Sequence, residues 1–427
     1  MPKKTGDTEV WSFFSGGMGL DLGLEAAGIQ TTLAVEIDST CCETVRRNRP
    51  GLDVWETDAN VIDADSLRGR RGNPDEVFLM VGGPPCQSFS SGGKRAALSD
   101  PRGNLIYTYL KLIDSVRPRY FVLENVANLV TAAVRHRPIN ERPGKNWNLS
   151  SYARKGANDD GSALPMELDE LSGSAIRQVF EDVNGLGYHL NFAVVDAADY
   201  GAAQHRLRFI MFGSRDSQAP AIPDATHGDR SVDARRYRTV RDVIADLADN
   251  PGPHSIYTPG VAKYFAMVPP GGNWRSLPSD LQREALGEAS FAAGGGKTGF
   301  FRRLSWDRPS PTVTGRANRK GSALCHPEAI RPLSVKECAR LQGFPDDWSF
   351  VGAMNRQYLQ VGNAVPVPLG TAIGRAILDC AKSTVRQPKQ DEFDLEWALQ
   401  VAVTRLRSAA RNKVARKKSQ PKQPTLF

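Results

Sequence analysis

The chain has 427 residues, 40% hydrophobic and 24% charged, with 39 Gly and 28 Pro, which excludes collagenous and low-complexity classes and allows two or three globular domains. No unbroken apolar run reaches the length of a membrane span, and the basic start Met1-Pro2-Lys3-Lys4 leads into no signal-peptide core. The formal net charge of +8 is carried entirely by the last stretch, Thr404 to Phe427, which holds eight basic residues and no acid. A neutral body with a basic tail is the expectation, so any nucleic-acid contact made by the body must come from local clusters. The six cysteines (41, 42, 86, 325, 338 and 380) form no CxxC pair. Neither a disulfide framework nor a metal site is expected, and a reducing cytoplasm is the natural home of such a chain.

In chain order, Val10 to Phe14 reads as a strand that runs into the loop Ser15-Gly16-Gly17-Met18-Gly19. A helix through Leu20, Leu24 and Ala27 follows, closed by Gly28. Thr31 to Glu36 is a second strand, residues 39–48 a second helix, and Val77 to Val81 a further strand. Asn104 to Val116 is a helix with Leu105, Tyr109, Leu112 and Val116 on one face, and Tyr120 to Leu123 is a buried strand. Such alternation argues for a parallel sheet covered by helices. From 131 to 172 the pattern lapses into Arg, Asn, Gly and Pro, then returns with a helix through Ile176, Val179, Phe180 and Val183 and strands near 190–195 and 207–212. Residues 214–300 are loop-rich, with one helix announced by a capping box of Thr239 and Asp242 and an apolar face of Val240, Val243, Ile244 and Leu247. Helices return at 334–341 and 366–380, and an alanine- and arginine-rich helix is plausible over 395–414.

Four segments carry candidate chemistry. The glycine loop between a strand and a helix places backbone N–H groups against a nucleotide-like cofactor, and Glu36 at the end of the next strand can accept both ribose hydroxyls. That pair fits NAD and S-adenosylmethionine alike. Gly82-Gly83-Pro84-Pro85-Cys86-Gln87-Ser88-Phe89-Ser90 follows an apolar strand, where ligands of open α/β sheets bind, and this context favours Cys86 as a nucleophile over a buried inert thiol. Glu124-Asn125-Val126 ends a strand beside it, which suits Glu124 to general acid–base work rather than simple capping. In Gln204-His205-Arg206-Leu207-Arg208, strand alternation puts Gln204, Arg206 and Arg208 on one face, either as a solvated edge or as a guanidinium fork for phosphate or a base oxygen.

Phe14-Ser15-Gly16 with Gly19-Leu20, Pro84-Pro85-Cys86-Gln87, Glu124-Asn125-Val126, Gln204-x-Arg206-x-Arg208 and Gly362-Asn363-Ala364-Val365-Pro366, in this order, resemble the DNA (cytosine-5)-methyltransferases of bacterial and phage restriction–modification type. The first block departs slightly, its paired glycines falling at 16 and 17, earlier than is common in that family. The resemblance implies an α/β fold, a Rossmann-like S-adenosylmethionine-dependent methyltransferase sheet with a smaller inserted target-recognition domain. Its parts are a catalytic portion over 1–213 with the polar insertion 131–172, a recognition domain over 214–300, a stretch over 301–380 that holds the return of the recognition domain and the C-terminal part of the catalytic domain, and a basic tail over 381–427.

The resemblance makes Cys86 the covalent nucleophile on cytosine C6, Glu124 the proton donor at N3 and Arg208 the contact to O2, with Arg206 supporting them. It places Phe14, Gly16, Gly19, Leu20, Glu36, Ile37, Asp58, Pro84, Asn363 and Val365 around the cofactor, Asp58 accepting from the adenine amino group. The partner is double-stranded DNA, with the target base extruded because C6 is shielded inside a duplex. Gln87, Ser90, Arg235, Arg236, Arg238, Lys297, Arg302 and Arg303 are candidate DNA contacts. Acidic and basic residues balance over 214–300, so only the cluster at 235–238 stands out there. Gly296-Lys297-Thr298 is no P-loop, because Phe291 occupies the position where that motif needs glycine. The chain is expected to act as a monomer beside a cognate restriction endonuclease, and Gln423 to Phe427 resembles the short peptides that dock into sliding clamps. Two other readings are a tRNA-modifying relative, whose Cys-Phe-Thr tripeptide is absent here, and a catalytically silent DNA-binding homologue, disfavoured because Cys86, Glu124 and Arg208 are all present.

Overall fold

The computed structural model describes residues 8–70, 76–85, 105–137, 141, 166–229, 231–233, 235–292, 299–383 and 393–418. Cys86, Gln87, Ser90, Lys297 and the peptide 423–427 lie outside them. Strands β1 (Glu9–Phe13), β2 (Leu33–Glu36), β3 (Asp53–Glu56), β4 (Val77–Gly82), β5 (Tyr120–Val126) and β6 (His189–Asp196) join with the later β8 (Leu207–Ser214) in one sheet, ordered β3-β2-β1-β4-β5-β8-β6. Every pairing is parallel except those of β8, which runs antiparallel to both β5 and β6. The carboxyl ends of β4, β5 and β6 and the start of β8 therefore meet at one edge.

The strands are apolar on both faces because both faces are covered. Trp11, Phe13, Met80, Phe121, Leu123, Phe209 and Met211 point into one core. It is roofed by α3 (Ala64–Arg70), α4 (Leu105–Val116) and α5 (Ser174–Asn184). Val10, Leu79, Val81, Tyr120, Val122, Ile210 and Phe212 point the other way. There they meet Leu20 and Leu24 of α1 (Gly19–Ala27) and Leu369, Ile373 and Ile377 of α12 (Val367–Lys382). Gly28 ends α1 in the left-handed conformation (φ 98°), and Asp38 caps α2 (Ser39–Asn48) by accepting from the Thr40 and Cys41 amides.

The ends of the polar insertion are pinned together: the Gly173 amide donates to the Ala132 carbonyl, and Arg135 pairs with Asp169 and Arg137 with Glu170. Gln204–His205 forms the two-residue β7, paired with β9 (Ser310–Pro311). The capping box of Thr239 and Asp242 is present, but it opens only one turn, α6 (Arg241–Ile244), followed by a 3-10 turn. Smaller helices follow, α7 (Pro259–Met267), α8 (Ser279–Leu286) and α9 (Glu288–Ala292), then α10 (Val335–Gln342) and α11 (Met354–Asn363).

Two further cores gather residues from segments far apart in the chain. Val240, Val243 and Ile244 pack not within a small domain but with Leu304, Val313, Leu333, Cys338, Tyr358 and Val361. Tyr257, Phe265, Val268, Trp274, Leu277 and Leu286 form a core of their own that also takes in Phe301, Ala323 and Cys325. The small core does not stop at 300; hydrophobic closure carries it past Cys325.

The expected basic tail is also partly structured. The helix α13 (Leu395–Lys418) buries Ala398, Leu399 and Ala402 in the sheet core, and Phe393 stacks on Phe180 at 5.4 Å. Among the described residues, the span Met354–Lys382 is apolar and long enough to cross a membrane, but it is two helices interrupted at Ala364-Val365-Pro366, half buried within the protein.

Candidate active site at the carboxyl edge of the sheet

The glycine loop is held open by strain and by one carboxylate. Phe14 (φ 57°) and Met18 (φ 62°) both adopt left-handed backbone, which costs a non-glycine residue roughly 1–3 kcal/mol and recurs at functional sites. Met18 is fully buried, and the Phe14 ring meets Tyr109 edge-on at 6.3 Å, so packing holds both residues in place. Glu36 Oε2 accepts from the Gly16 amide at 2.8 Å, while Oε1 accepts from Ile37 and Asp38 amides at 2.8 and 2.9 Å. Gly16 (φ 52°) has nothing within 4 Å of the position a Cβ would take. Ile37, one residue past β2, is 65% exposed, and Val61, in the 3-10 turn that follows β3, is 71% exposed.

Several of the residues expected at the cofactor also hold the packing of the site. A Cβ on Gly19 would collide with the Val365 carbonyl, and Leu20 is buried against the sheet. Gly19 is glycine so that the chain at 364–365 can cross the start of α1, and Leu20 can offer a ligand only its backbone. Val365 is itself buried, whereas Asn363 is exposed beside it. Asp58 accepts from the Asn60 amide and side chain, and Asn60 in turn accepts from Thr108.

At the other side of the edge lies a buried ion pair. Glu124 sits inside β5 opposite Ile210, and its Oε1 is 2.6 Å from Arg208 Nε. Burial pushes the Glu124 carboxyl above the usual carboxylate range, and the charges of Arg208 and Arg206 work against that push. Glu124 Oε2 lies 3.0 Å from where a Cβ on Gly83 would stand, so a side chain at 83 would press on that carboxylate. Asn125 Nδ2 donates to the Pro84 carbonyl at 3.2 Å, fixing the chain two residues ahead of Cys86.

The three residues expected on one strand face lie on two strands, because the chain breaks at Arg206 between β7 and β8. Gln204 and Arg206 both turn inward. Gln204 accepts from the Val313 amide and donates to Gln342, which donates to the Val361 carbonyl. Arg206, 3% exposed, donates to the Val313 and Gly362 carbonyls at 2.6 and 2.8 Å. Desolvation and neighbouring Arg208 drive its pKa well below the ordinary guanidinium value. Arg206 is thus a positioning residue that ties 313 and 362 to the site, not a group facing the reacting base.

The candidate DNA contacts divide in the same way. Arg236 is held by Asp242 at 2.6 and 2.8 Å, and Arg303 spends its donors on the carbonyls of Pro327, Val268 and Glu328. Arg303 is therefore a strut of the small core. Arg302 is half-buried, its pKa lowered by desolvation. Arg235 and Arg238 are exposed, Arg235 3.4 Å from Asp233. Sequence reading missed the turn 314–321, whose exposed Arg316, Arg319 and Lys320 stand beside Gly362 because Gly315 packs directly against it. The run Arg316-Ala317-Asn318-Arg319-Lys320, without an acid, was the available signal.

The model of the C-5 cytosine-specific DNA methylase family matches residues 8–139 and 168–379, covering every site segment above. The chain belongs to this family. It is 35% identical over 376 residues to the Type II methyltransferase M.Sau96I of Staphylococcus aureus, across 88% of this chain and 77% of that protein. It is 36% identical over 375 residues to M.Eco47II of Escherichia coli, across 86% and 78% of the two chains. In fold it is similar to the Entamoeba histolytica methyltransferase EhMeth, at a TM-score of 0.55 and 15% identity over 88% of this chain and 99% of that one. As a family member the protein is a DNA (cytosine-5)-methyltransferase with an α/β Rossmann-like methyltransferase sheet. The family match stops at 379, so α13 is an addition to it.

Proposed function

We propose that the protein methylates C5 of an extruded cytosine within a specific double-stranded DNA sequence, as the modification enzyme of a restriction–modification system. The observation that carries this reading is the buried Glu124–Arg208 pair set against Gly83-Pro84 at the carboxyl edge of the sheet. The relatives' designation as Type II methyltransferases supports the restriction–modification setting. A cognate endonuclease is then a functional rather than a physical partner, a monomer suffices, and the chain works in the cytoplasm on the nucleoid.

The residues at the glycine loop fit S-adenosylmethionine. The space at Gly16, the uncovered Ile37 and Val61 and the Glu36 carboxylate together suit an adenosine, with Phe14, Asp58, Pro84 and Asn363 at its borders. When bound, it supplies the methyl group as an electrophilic carbon on a sulfonium. The chain's own work is on the base. The Cys86 thiolate adds to C6, so that the ring's electrons move toward C5 and N3. Glu124, its pKa raised by burial, holds a proton for N3, and the Arg208 guanidinium orients O2. Once C5 carries the methyl group, a base takes the C5 proton and the electrons of that C–H bond re-form the double bond as the thiolate leaves C6. Arg206 keeps the 313 and 362 segments in register so that this pocket stays closed to water. The exposed Arg316, Arg319 and Lys320, with Arg235 and Arg238, supply the cationic face for the duplex.

Bisulfite sequencing of DNA exposed to the purified protein and S-adenosylmethionine should show one protected cytosine per recurring sequence. A duplex carrying 5-fluorocytosine at that position should be trapped on the wild-type protein and not on Cys86→Ser, which should still bind the duplex. Methylation by Cys86→Ser would remove the covalent step.

A further inference from the structure

The helix α13 lies beyond the part of the chain that the family model matches, yet it reaches the edge of the sheet where the site stands. Ala398, Leu399 and Ala402, with Val403 and Leu406 packed against them, are set in the core that holds Leu190, Phe192 and Val194 of β6, and Glu396 pairs with Arg177 of α5. On the same helix Arg405 forms an ion pair with Asp199, in the turn Ala197–Tyr200 just past the carboxyl end of β6. Both β5 and β6 pair antiparallel with β8, so they run parallel to each other, and this turn stands at the edge that carries Glu124 and Arg208.

Asp199 does more than balance one charge. Its side chain is 11% exposed, and while Oδ2 takes Arg405, Oδ1 accepts from Tyr237 Oη at 3.0 Å. Its backbone carbonyl accepts from the amides of Thr226 and His227 at 2.8 and 2.9 Å. One residue therefore ties both ends of the segment 225–238 to the sheet. The segment is closed on itself as well: the Gly228 amide donates to the Arg235 carbonyl at 2.7 Å, and a Cβ on Gly228 would stand 2.1 Å from the Tyr237 ring. That ring meets His205 in a T-shaped arrangement at 5.4 Å, and His205 Nδ1 lies 2.9 Å from Asp196 at the end of β6. Arg235 and Arg238, flanking Tyr237, are exposed.

We propose that Arg405 is a positioning residue for DNA binding: through Asp199 it braces the segment 225–238 so that Arg235 and Arg238 meet the duplex already in place. This rests on the reading of double-stranded DNA as the substrate and of those two arginines as part of the cationic face. The physical reason is the cost of an unpaired buried charge. A carboxylate that loses its cation there draws in water or a proton, and either change weakens its grip on Tyr237 and on the Thr226 and His227 amides. The C-terminal helix then adds affinity for DNA by preorganisation, without touching the DNA itself.

The test measures binding of the full chain to a labelled plasmid fragment at fixed salt. Arg405→Gln should weaken it about five- to tenfold, the loss expected when the binding-competent arrangement falls to about a fifth to a tenth of the molecules. KM for DNA should rise by the same factor, while kcat at saturating DNA and the affinity for S-adenosylmethionine stay as in the parent. Arg405→Lys, which keeps the charge, should recover most of the loss. Arg235→Gln with Arg238→Gln should weaken binding too, and adding Arg405→Gln to that pair should then cost less than about twofold, because the residues it serves are gone. Unchanged DNA affinity in Arg405→Gln would overturn the brace, as would an absence of loss in the Arg235 and Arg238 double variant. It is overturned equally if Arg405→Gln costs as much without those two arginines as with them, which is the result of a helix that merely stabilises the fold or touches DNA on its own. Should the variants behave as stated in a chain that methylates no DNA, the brace stands and the proposed methylation falls.

Discussion

Individual side chains show how one environment sets several protonation states. Glu124 and Arg208 share a buried site, where desolvation raises the carboxyl and the guanidinium opposes it, a balance that suits the proposed donation of a proton to N3. Asp21, fully buried on α1 and accepting from Thr31 Oγ1 at 2.9 Å, has its pKa raised from 3.8 to about 6, chiefly by burial. A raised carboxyl pKa means the folded state binds the proton more tightly than the unfolded state. Stability is therefore greatest below the unfolded value near 4 and falls as pH rises to about 6, with the full penalty present above that. Asp21→Asn should raise unfolding stability at pH 8 by about 2–3 kcal/mol, and the gain should vanish near pH 4, as read from denaturant midpoints at the two pH values. A gain that persists at pH 4 would point to packing instead. Glu124 was legible in the sequence from its place at a strand's end, whereas Arg206 and Asp21 owe their roles to burial that only the assembled sheet imposes.

Among the elements, the pairing of α1 with α12 deserves the name of keystone, since it brings the last part of the family match back to the first. Gly23 makes it possible: a Cβ there would stand 2.5 Å from Gly370 Cα and 2.5 Å from the Val367 carbonyl, both backbone atoms that cannot swing aside. Gly23→Ala should cost about 2 kcal/mol or more by overpacking and should weaken binding of S-adenosylmethionine, because α1 carries the strained loop at its N-terminus. Denaturant unfolding and equilibrium dialysis would measure the two effects, and an unperturbed variant would refute the close crossing. Helices α1, α2 and α4 and strands β1, β4 and β5 were readable from period and caps. The strand β3 escaped notice because Asp53-Val54-Trp55-Glu56 is half-exposed at the sheet edge and lacks a buried apolar run. The helices α7 to α9 escaped because they are short and face a core assembled from distant segments.

On the scale of the whole molecule, distant segments are joined by cores that ignore sequence order. The small core that includes Tyr257 and Trp274 is closed by Phe301, Ala323 and Cys325, and the turn bearing Arg316, Arg319 and Lys320 is carried between that core and the Gly362 segment. A chimera that exchanges only 214–300 with a relative should therefore split the core and be recovered mostly as aggregate. One that exchanges 249–333 keeps the small core whole, although it also exchanges Leu304, Val313 and Leu333 of the neighbouring core, and should be recovered in higher soluble yield than the shorter one, with the relative's target read by bisulfite sequencing. A soluble chimera of the shorter kind with a changed target would show that the small core does not depend on Phe301, Ala323 and Cys325 of its own chain.

The sequence by itself determined the alternation of strand and helix, the glycine loop, the placing of Cys86 and Glu124 after apolar strands and the family, because each depends on local period, on turn chemistry or on residue types kept in order. The tertiary structure decided what depends on burial and on contact between distant segments. It turned Arg206 and Arg303 into struts for backbone carbonyls, made Gly19 and Gly23 the places where 364–370 crosses α1, closed the small core beyond residue 300 and docked the C-terminal helix on the sheet. Desolvation and close packing act between residues that the chain sets far apart, and no window along the sequence contains both partners.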